Sequence, residues 1–250
     1  MIRQKYEKPR RRTNRLPINQ HVWPLKCIAR FVDSSGVVCL CDKVRQKKRP
    51  AKPNDKIFCA RRVWDLGAER SMKTRIEDPF QILASQIIDG TMTSIGPNQK
   101  AVVDRFFALW KVRAEFKYAD TNPIGLKRVT GRRWTQKEEE GFEYGSTLFI
   151  REDETMPAHR FHDIPIQMRI DQYYCAFGRI RWGIVQTQAG HFVVPDTPNY
   201  TMIPLTPTLC LCDTEGQTGM ITTQNLAEIN QAFKVASNEY FFAQDFAQCP

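Results

Sequence analysis

Residues 19–42 read NQHVWPLKCIARFVDSSGVVCLCD, a loop, an apolar run, a turn and a strand in 24 positions. The stretch opens on His21, Val22, Trp23 and Pro24, crosses an apolar segment to Phe31, and turns at Ser34, Ser35 and Gly36. From Val37 to Asp42, alternate residues Val37, Cys39 and Cys41 share a face, the period of two expected of a half-buried strand. Strand grammar this early, followed by helical periodicities and then further strands, predicts an α+β fold. The expected architecture is a mostly antiparallel sheet, built from this strand and from strands in 182–212, with three or more long helices packed on it.

Upstream, residues 1–15 (MIRQKYEKPRRRTNR) hold five Arg and two Lys with almost no apolar content. Too little apolar surface is present to offset the entropy of ordering, so a flexible basic arm is expected there, followed by one globular domain over 16–250. Arg10, Arg11, Arg12 and Arg15 are candidate phosphate contacts, because cations on a flexible arm release counterions from a polyanion. Downstream, KVRQKKRPAKP brings a second basic run with Lys43, Arg45, Lys47, Lys48 and Arg49. Pro50 and Pro53 exclude helix, so an extended or exposed loop is expected. A third basic set, Arg132 and Arg133 with Lys127 and Arg128, falls in a Gly- and Pro-containing loop.

Charge is distributed unevenly. The net charge is +10; residues 1–50 carry 14 Lys and Arg against 3 acids, whereas residues 201–250 carry one Lys and 5 acids. Such asymmetry points to a polyanionic partner, RNA, DNA or a ribonucleoprotein, or else to a solvated tail that only aids solubility. No segment approaches the roughly 20 apolar residues of a membrane helix, and the N-terminus lacks the apolar core of a secretory signal, so a cytoplasmic protein without membrane contact is expected. The 8 cysteines lie mostly in apolar runs and read as reduced, packed thiols.

Helical signals are clear in the middle of the chain. Thr74 and Glu77 have capping-box spacing and predict a helix over 76–89 that stops at Gly90. Gly96-Pro97 opens a helix to about 118, with Val103, Phe106, Phe107, Trp110, Ala114 and Tyr118 on the buried face and Lys100, Asp104, Arg105, Lys111 and Arg113 on the other. Thr135 and Glu138 form a second capping box. A short strand is expected at 147–150, and a helix over 166–178 with Ile164, Met168, Gln172 and Cys175 on one face. Residues 182–194 read as a β-hairpin turning at Ala189-Gly190, 208–212 as a strand, and 225–242 as a helix capped by Asn225 with Ile229, Phe233, Ala236 and Tyr240 inward.

The His-x-x-Pro opening at His21 and Pro24, with Arg30 and Phe31 beyond it, resembles the start of the bacterial family called domain of unknown function 4238. Asp196-x-Pro198 and Pro204-Leu205-x-Pro207 resemble its second motif, Glu77 matches an acid near the start of a helix, and Asn230 an Asn of the final helix. Val22 stands where the family has Tyr, and Lys26 interrupts its apolar run. The resemblance spans His21 to about Phe242 and implies a topology; the family has no settled activity, so it implies no reaction.

Three residues stand out as candidate catalytic groups: His21 as general acid or base near neutral pH, Asp196 as a carboxylate at a strand end, and Glu77. Their side-chain types suit a nuclease dependent on magnesium or manganese, of the toxin or phage-defence kind. Each also has a structural reading, as a turn-locking His, an Asx cap and a helix cap. His159 and His162, or Cys39/Cys41 with Cys210/Cys212, have weak zinc-like spacing that surface and core roles explain better. A P-loop, a nucleophile elbow and a His-Glu-x-x-His motif are all missing. Two functions therefore stand: a nucleic-acid-acting hydrolase, or a non-catalytic nucleic-acid or ribonucleoprotein binder.

Overall fold

The computed structural model describes Leu16 and residues 18–250. The expected arm over 1–15, and with it Arg10, Arg11, Arg12 and Arg15, lies outside the described residues. The chain runs β1 (Asn19–His21), α1 (Leu25–Ile28), β2 (Val38–Asp42), β3 (Lys47–Ala51), β4 (Cys59–Arg61), α2 (Leu66–Met72), α3 (Asp78–Ile88), α4 (Pro97–Phe116) and β5 (Ile124–Gly125). It continues through α5 (Gln136–Tyr144), β6 (Thr155–Met156), α6 (Asp163–Ala176), β7 (Trp182–Thr187), β8 (Val194–Pro195), β9 (Met202–Thr206), β10 (Leu209–Asp213), β11 (Gly219–Ile221), α7 (Thr223–Ala236) and β12 (Tyr240–Ala243). The fold class is α+β, as expected, and all strand pairs are antiparallel except β11 with β7.

The strands do not form one sheet. Two four-stranded sheets, in the orders β11-β7-β10-β9 and β3-β2-β12-β8, separate the early strand β2 from β7, β9 and β10, while β8 joins the sheet of β2. One core nevertheless runs through both, from Val38, Leu40 and Phe242 to Ile184, Ile203 and Leu211. Helix α4 supplies its aromatic centre: Phe106 stacks on Phe80 at 3.5 Å, and Trp110 meets Trp23 at 4.0 Å. The expected stripe of Val103, Phe106, Phe107, Trp110 and Ala114 is buried, while Tyr118 lies past the helix end and is exposed.

Several boundaries differ from expectation for identifiable reasons. The basic run after β2 takes the extended alternative, as β3 pairs with β2 along its length; Pro50 is tolerated since β3 is an edge strand. The helix expected at 76 begins at Leu66, where the Asp65 carboxylate accepts the Ala68 N–H at 2.7 Å. Thr74 is interior and donates its hydroxyl to the Arg70 carbonyl at 2.9 Å. Between α2 and α3 the ladder widens into a π-helical turn over Lys73–Glu77. Pro79 has no N–H to return to the Arg75 carbonyl, which relaxes the α ladder at this point.

Helix α6 buries Ile166 and Ile170; the expected inward residues Ile164 (72% exposed), Met168 (58%) and Cys175 face solvent. The expected strand at 147–150 reduces to one isolated bridge, Arg132 with Arg151. The 182–194 hairpin does not form either. Strand β7 pairs with β10 and β11, and it ends at Thr187, before the Ala189-Gly190 turn. Buried Asn230 stands in for the missing strand neighbour: its Oδ1 accepts the Val193 N–H at 2.8 Å and its Nδ2 donates to the His191 carbonyl at 2.9 Å. Thr222, not Asn225, caps α7, and the chain beyond Ala236 becomes β12, inserted between β2 and β8.

The segment carrying α5 is tied to the body through a buried carboxylate. Glu143 accepts from Arg62 at 2.7 Å, His159 at 3.0 Å and the Leu66 N–H at 3.2 Å. Burial alone pushes this carboxyl up, but the His159 and Arg62 hydrogen bonds and charges outweigh it and hold its pKa at about 2. Because the folded value is depressed, the stabilisation is complete above the ordinary carboxyl range near 4.5 and is lost as pH falls toward about 2. Urea midpoints should fall between pH 4.5 and pH 2.5, and Glu143→Gln should lower the midpoint at pH 7 and flatten that acid limb. An unchanged acid limb in the variant would remove Glu143 from the account.

Candidate functional site

His21 ends β1, opposite Cys59 of β4, and its Nε2 lies 3.1 Å from the Pro53 carbonyl oxygen. A carbonyl only accepts, so Nε2 carries the proton and Nδ1 is left as the acceptor of the neutral ring. Burial lowers the His21 pKa below the ordinary imidazole value; the Pro53 hydrogen bond raises it, Arg113 lowers it, and Glu69 and Glu77 raise it. The imidazole is therefore neutral at physiological pH.

The charges facing His21 belong to one buried polar layer. Arg113 on α4 is only 1% exposed, although its place in the sequence reads as the charged face. Its Nη2 meets a Glu77 oxygen at 2.7 Å and a Glu69 oxygen at 3.3 Å, and its guanidinium lies 5.4 Å from the Trp64 ring centre. Burial would lower the Arg113 pKa, but the two glutamates more than reverse this and raise it. The π turn delivers Glu77 to this pair, so the expected cap at Glu77 is instead a counter-ion. Next to it, the Gln81 amide donates to Cys27 Sγ at 3.1 Å and its oxygen accepts from Arg30 at 2.7 Å. Burial pushes the Cys27 thiol up to about 11, so it is a packed thiol and not a nucleophile.

Asp196 is placed elsewhere and is not an open carboxylate. It is 6% exposed and accepts the backbone N–H groups of Asn238 at 2.9 Å, Glu239 at 2.6 Å and Tyr240 at 3.2 Å, with the Thr197 hydroxyl at 3.3 Å. Its oxygens are spent on backbone and hydroxyl donors, so the structure places Asp196 as a cap on this turn rather than as an open catalytic carboxylate. Lys43 works from the other side of the same turn. Its ammonium donates to the carbonyls of Lys234 at 3.0 Å and Val235 at 3.2 Å, and to that of Ser237. Together they end α7 and release the chain into β12, so Lys43 is a helix C-cap rather than a phosphate ligand.

Metal-like spacings resolve similarly. His159 binds Glu143, and His162 Nδ1 meets the Val63 carbonyl. Cys39 and Cys41 lie on β2 and Cys210 and Cys212 on β10, in different sheets. Among the described residues no group of three or more His, Cys, Asp or Glu is set to hold a metal ion. Around His21, the Arg113 guanidinium occupies the two carboxylates that a magnesium or manganese ion would need, so these residues do not fit such an ion.

What remains outward is basic. Lys43 to Arg62 holds nine Lys and Arg against the single acid Asp55. Arg49 is neutralised by Asp55 through two contacts at 2.7 and 3.2 Å, and Arg62 by Glu143. Arg45, Lys47 and Lys48 are exposed along the β2–β3 turn and edge, with Lys52, Lys56 and Arg61 exposed beyond. Arg45 touches Asp42 from a side chain that is 76% exposed, a contact worth little in water. Arg132 and Arg133 are exposed as expected, and the Arg132 guanidinium lies 4.3 Å from the Trp134 ring centre.

No protein-family model, curated protein sequence or solved structure matches the chain. Glu69, Arg113 and Trp134 were not anticipated as site residues. Arg113 had a legible signal, since it lies three residues past Trp110 and ten past Val103, on the buried stripe; its charge masked the spacing.

His21 should titrate by NMR with a midpoint below about 6.5, and Glu77→Gln, by removing a charge that favours imidazolium, should lower it further. A rise in the variant would disprove this electrostatic layout. Asp196→Ala should cost about 2 kcal/mol or more in chemical denaturation, because three N–H groups lose their acceptor. A loss within experimental error would show that water satisfies that turn.

Proposed function

We propose that this protein binds nucleic acid, bare or within a ribonucleoprotein, through the basic edge formed by β2, β3 and the segment up to β4. The observation that carries the reading is the selective pairing there. Asp55 and Glu143 take Arg49 and Arg62, whereas Lys47 and Lys48 on the edge strand β3, and Lys52, Lys56 and Arg61 beyond it, are exposed. An edge strand studded with Lys also resists pairing with other chains, but that needs one or two charges rather than a continuous run. A positive stripe of this kind attracts phosphates and releases their counterions, so affinity must fall steeply with salt. Arg10, Arg11, Arg12 and Arg15, which lie outside the described residues, would add to the same field if they bind alongside.

A second reading, a nucleic-acid-cleaving effector of the toxin or phage-defence kind, is favoured by one feature only. His21 keeps a neutral ring with Nδ1 as proton acceptor beside two acids and a buried Arg, a composition suited to general base work. It does not draw on Asp196, and it routes no step through a metal.

Fluorescence anisotropy with labelled RNA and DNA across a salt series tests the first reading. Wild-type affinity should fall linearly in log–log form, and a Lys47→Ala, Lys48→Ala double variant should weaken binding and reduce the slope by about 1–2. Salt-independent affinity, or a variant that binds as wild type, would refute it. Cleavage that His21→Ala abolishes while binding persists would bring the second reading forward.

A further inference from the structure

Beside the basic loop at 127–133 lies an open groove of about 680 Å³, lined by Trp134, Phe142, Leu148, Phe149 and Met156 with Arg132 at its lip. Its size falls within the range of small-ligand pockets, and its walls are mostly apolar and aromatic. The aromatic wall is held in advance. Trp134 Nε1 donates to the Ile150 carbonyl at 2.8 Å, Phe142 meets the Trp134 ring edge-on at 4.7 Å, and Phe149 lies 5.6 Å from Phe142. Gly131 makes the other wall possible: a Cβ there would fall 1.9 Å from the Arg151 carbonyl oxygen, where the loop is pinned by the Arg132–Arg151 bridge. Leu148, 59% exposed, leaves an apolar lip in water, which none of the fold's packing requires.

Charge names the occupant. From Thr121 to Lys137 the chain has five Lys and Arg, all exposed, and no acid. Arg132 and Arg133 also line an adjoining pocket of about 380 Å³ that shares Trp134 with the groove. In that pocket Arg151 is taken by Glu139 through two bonds of 2.7 Å, and Asp153 by Thr155; Glu152 is exposed on the far wall. An aromatic slot with unpaired arginines at its mouth suits a flat, uncharged ring joined to phosphates. Single-strand binders combine these features, stacking bases on aromatic side chains while cations follow the backbone.

We infer that an unpaired base of single-stranded RNA or DNA enters this groove and stacks on the Trp134–Phe142 pair, with Arg132 and Arg133 on the flanking phosphates. This rests on the nucleic-acid reading above and adds to it strand state and a stacking platform separate from the β2–β3 edge. A duplex keeps its bases stacked on each other and has none to offer the groove.

The full chain is titrated with a uridine or thymidine 10-mer, the same backbone carrying abasic positions, and a duplex of equal length. The groove predicts that the base-bearing strand binds roughly tenfold or more tighter than the abasic strand of identical charge. Trp134→Ala should erase that difference and leave duplex affinity and its salt slope unchanged. Leu148→Ala, at an exposed position, should narrow the difference without disturbing the fold, and wild-type circular dichroism and melting in each variant keep the comparison fair. Salt-sensitive binding that ignores bases and Trp134 overturns the groove assignment and leaves the basic-edge reading standing. Absence of binding to every nucleic acid overturns both, and comparison of the RNA and DNA strands reads out the sugar preference.

Discussion

A guanidinium sealed in the core constrains much of this structure. Arg113 sits in the middle helix with nearly all of its surface removed from water, where an unpaired charge would cost several kcal/mol. Two glutamates must therefore reach it: Glu69 comes from α2 and Glu77 from the π-helical turn that joins α2 to α3. The π-helical turn before Pro79 precedes α3 and carries Glu77 at its end. Trp64 packs on the guanidinium and donates to Glu69, and Gln20 in turn fixes the Val63 and Trp64 backbone. Thus β1 and His21 are linked, through hydrogen bonds and ion pairs, to a charge on a helix far along the sequence.

The second constraint acts at the other end of the chain. A helix that continued past Ala236 would spend its N–H groups on carbonyls four residues back. Asp196 takes three of those N–H groups, and Lys43 takes the orphan carbonyls, so the helix stops and the chain supplies β12. That strand then joins β2 to β8 and closes the second sheet. Asp196 and Asn230 hold backbone in shapes that ordinary secondary structure does not provide.

Function, on this view, resides in what the fold leaves unpaired. Buried charges here have partners: Arg160 with Asp65, Asp104 with Trp182 and Lys100, Glu143 with Arg62 and His159. The outward basic edge and the arginines beside Trp134 lack such matches among the described residues. No helix among the described residues is long and apolar enough to cross a membrane.

Local pattern alone settled the elements whose signals are local. The strand after Gly36, the aromatic stripe of α4 and the Thr135–Glu138 capping box were all readable because periodicity and caps act over a few residues. So were the exposure of Arg132 and Arg133 and the unevenness of charge. Only the tertiary structure decided where β7 finds its partners, which side of α6 faces in, and that Tyr240 begins a strand. It also decided that Asp196 and Lys43 are caps while Glu77 is a counter-ion, and it gathered Trp134, Phe142 and Phe149 around one groove. The physical reason is the same in each case. A polar group's role depends on which partner reaches it, and those partners lie far away in the chain: 44 residues for Asp196 and Tyr240 and 191 for Lys43 and Lys234.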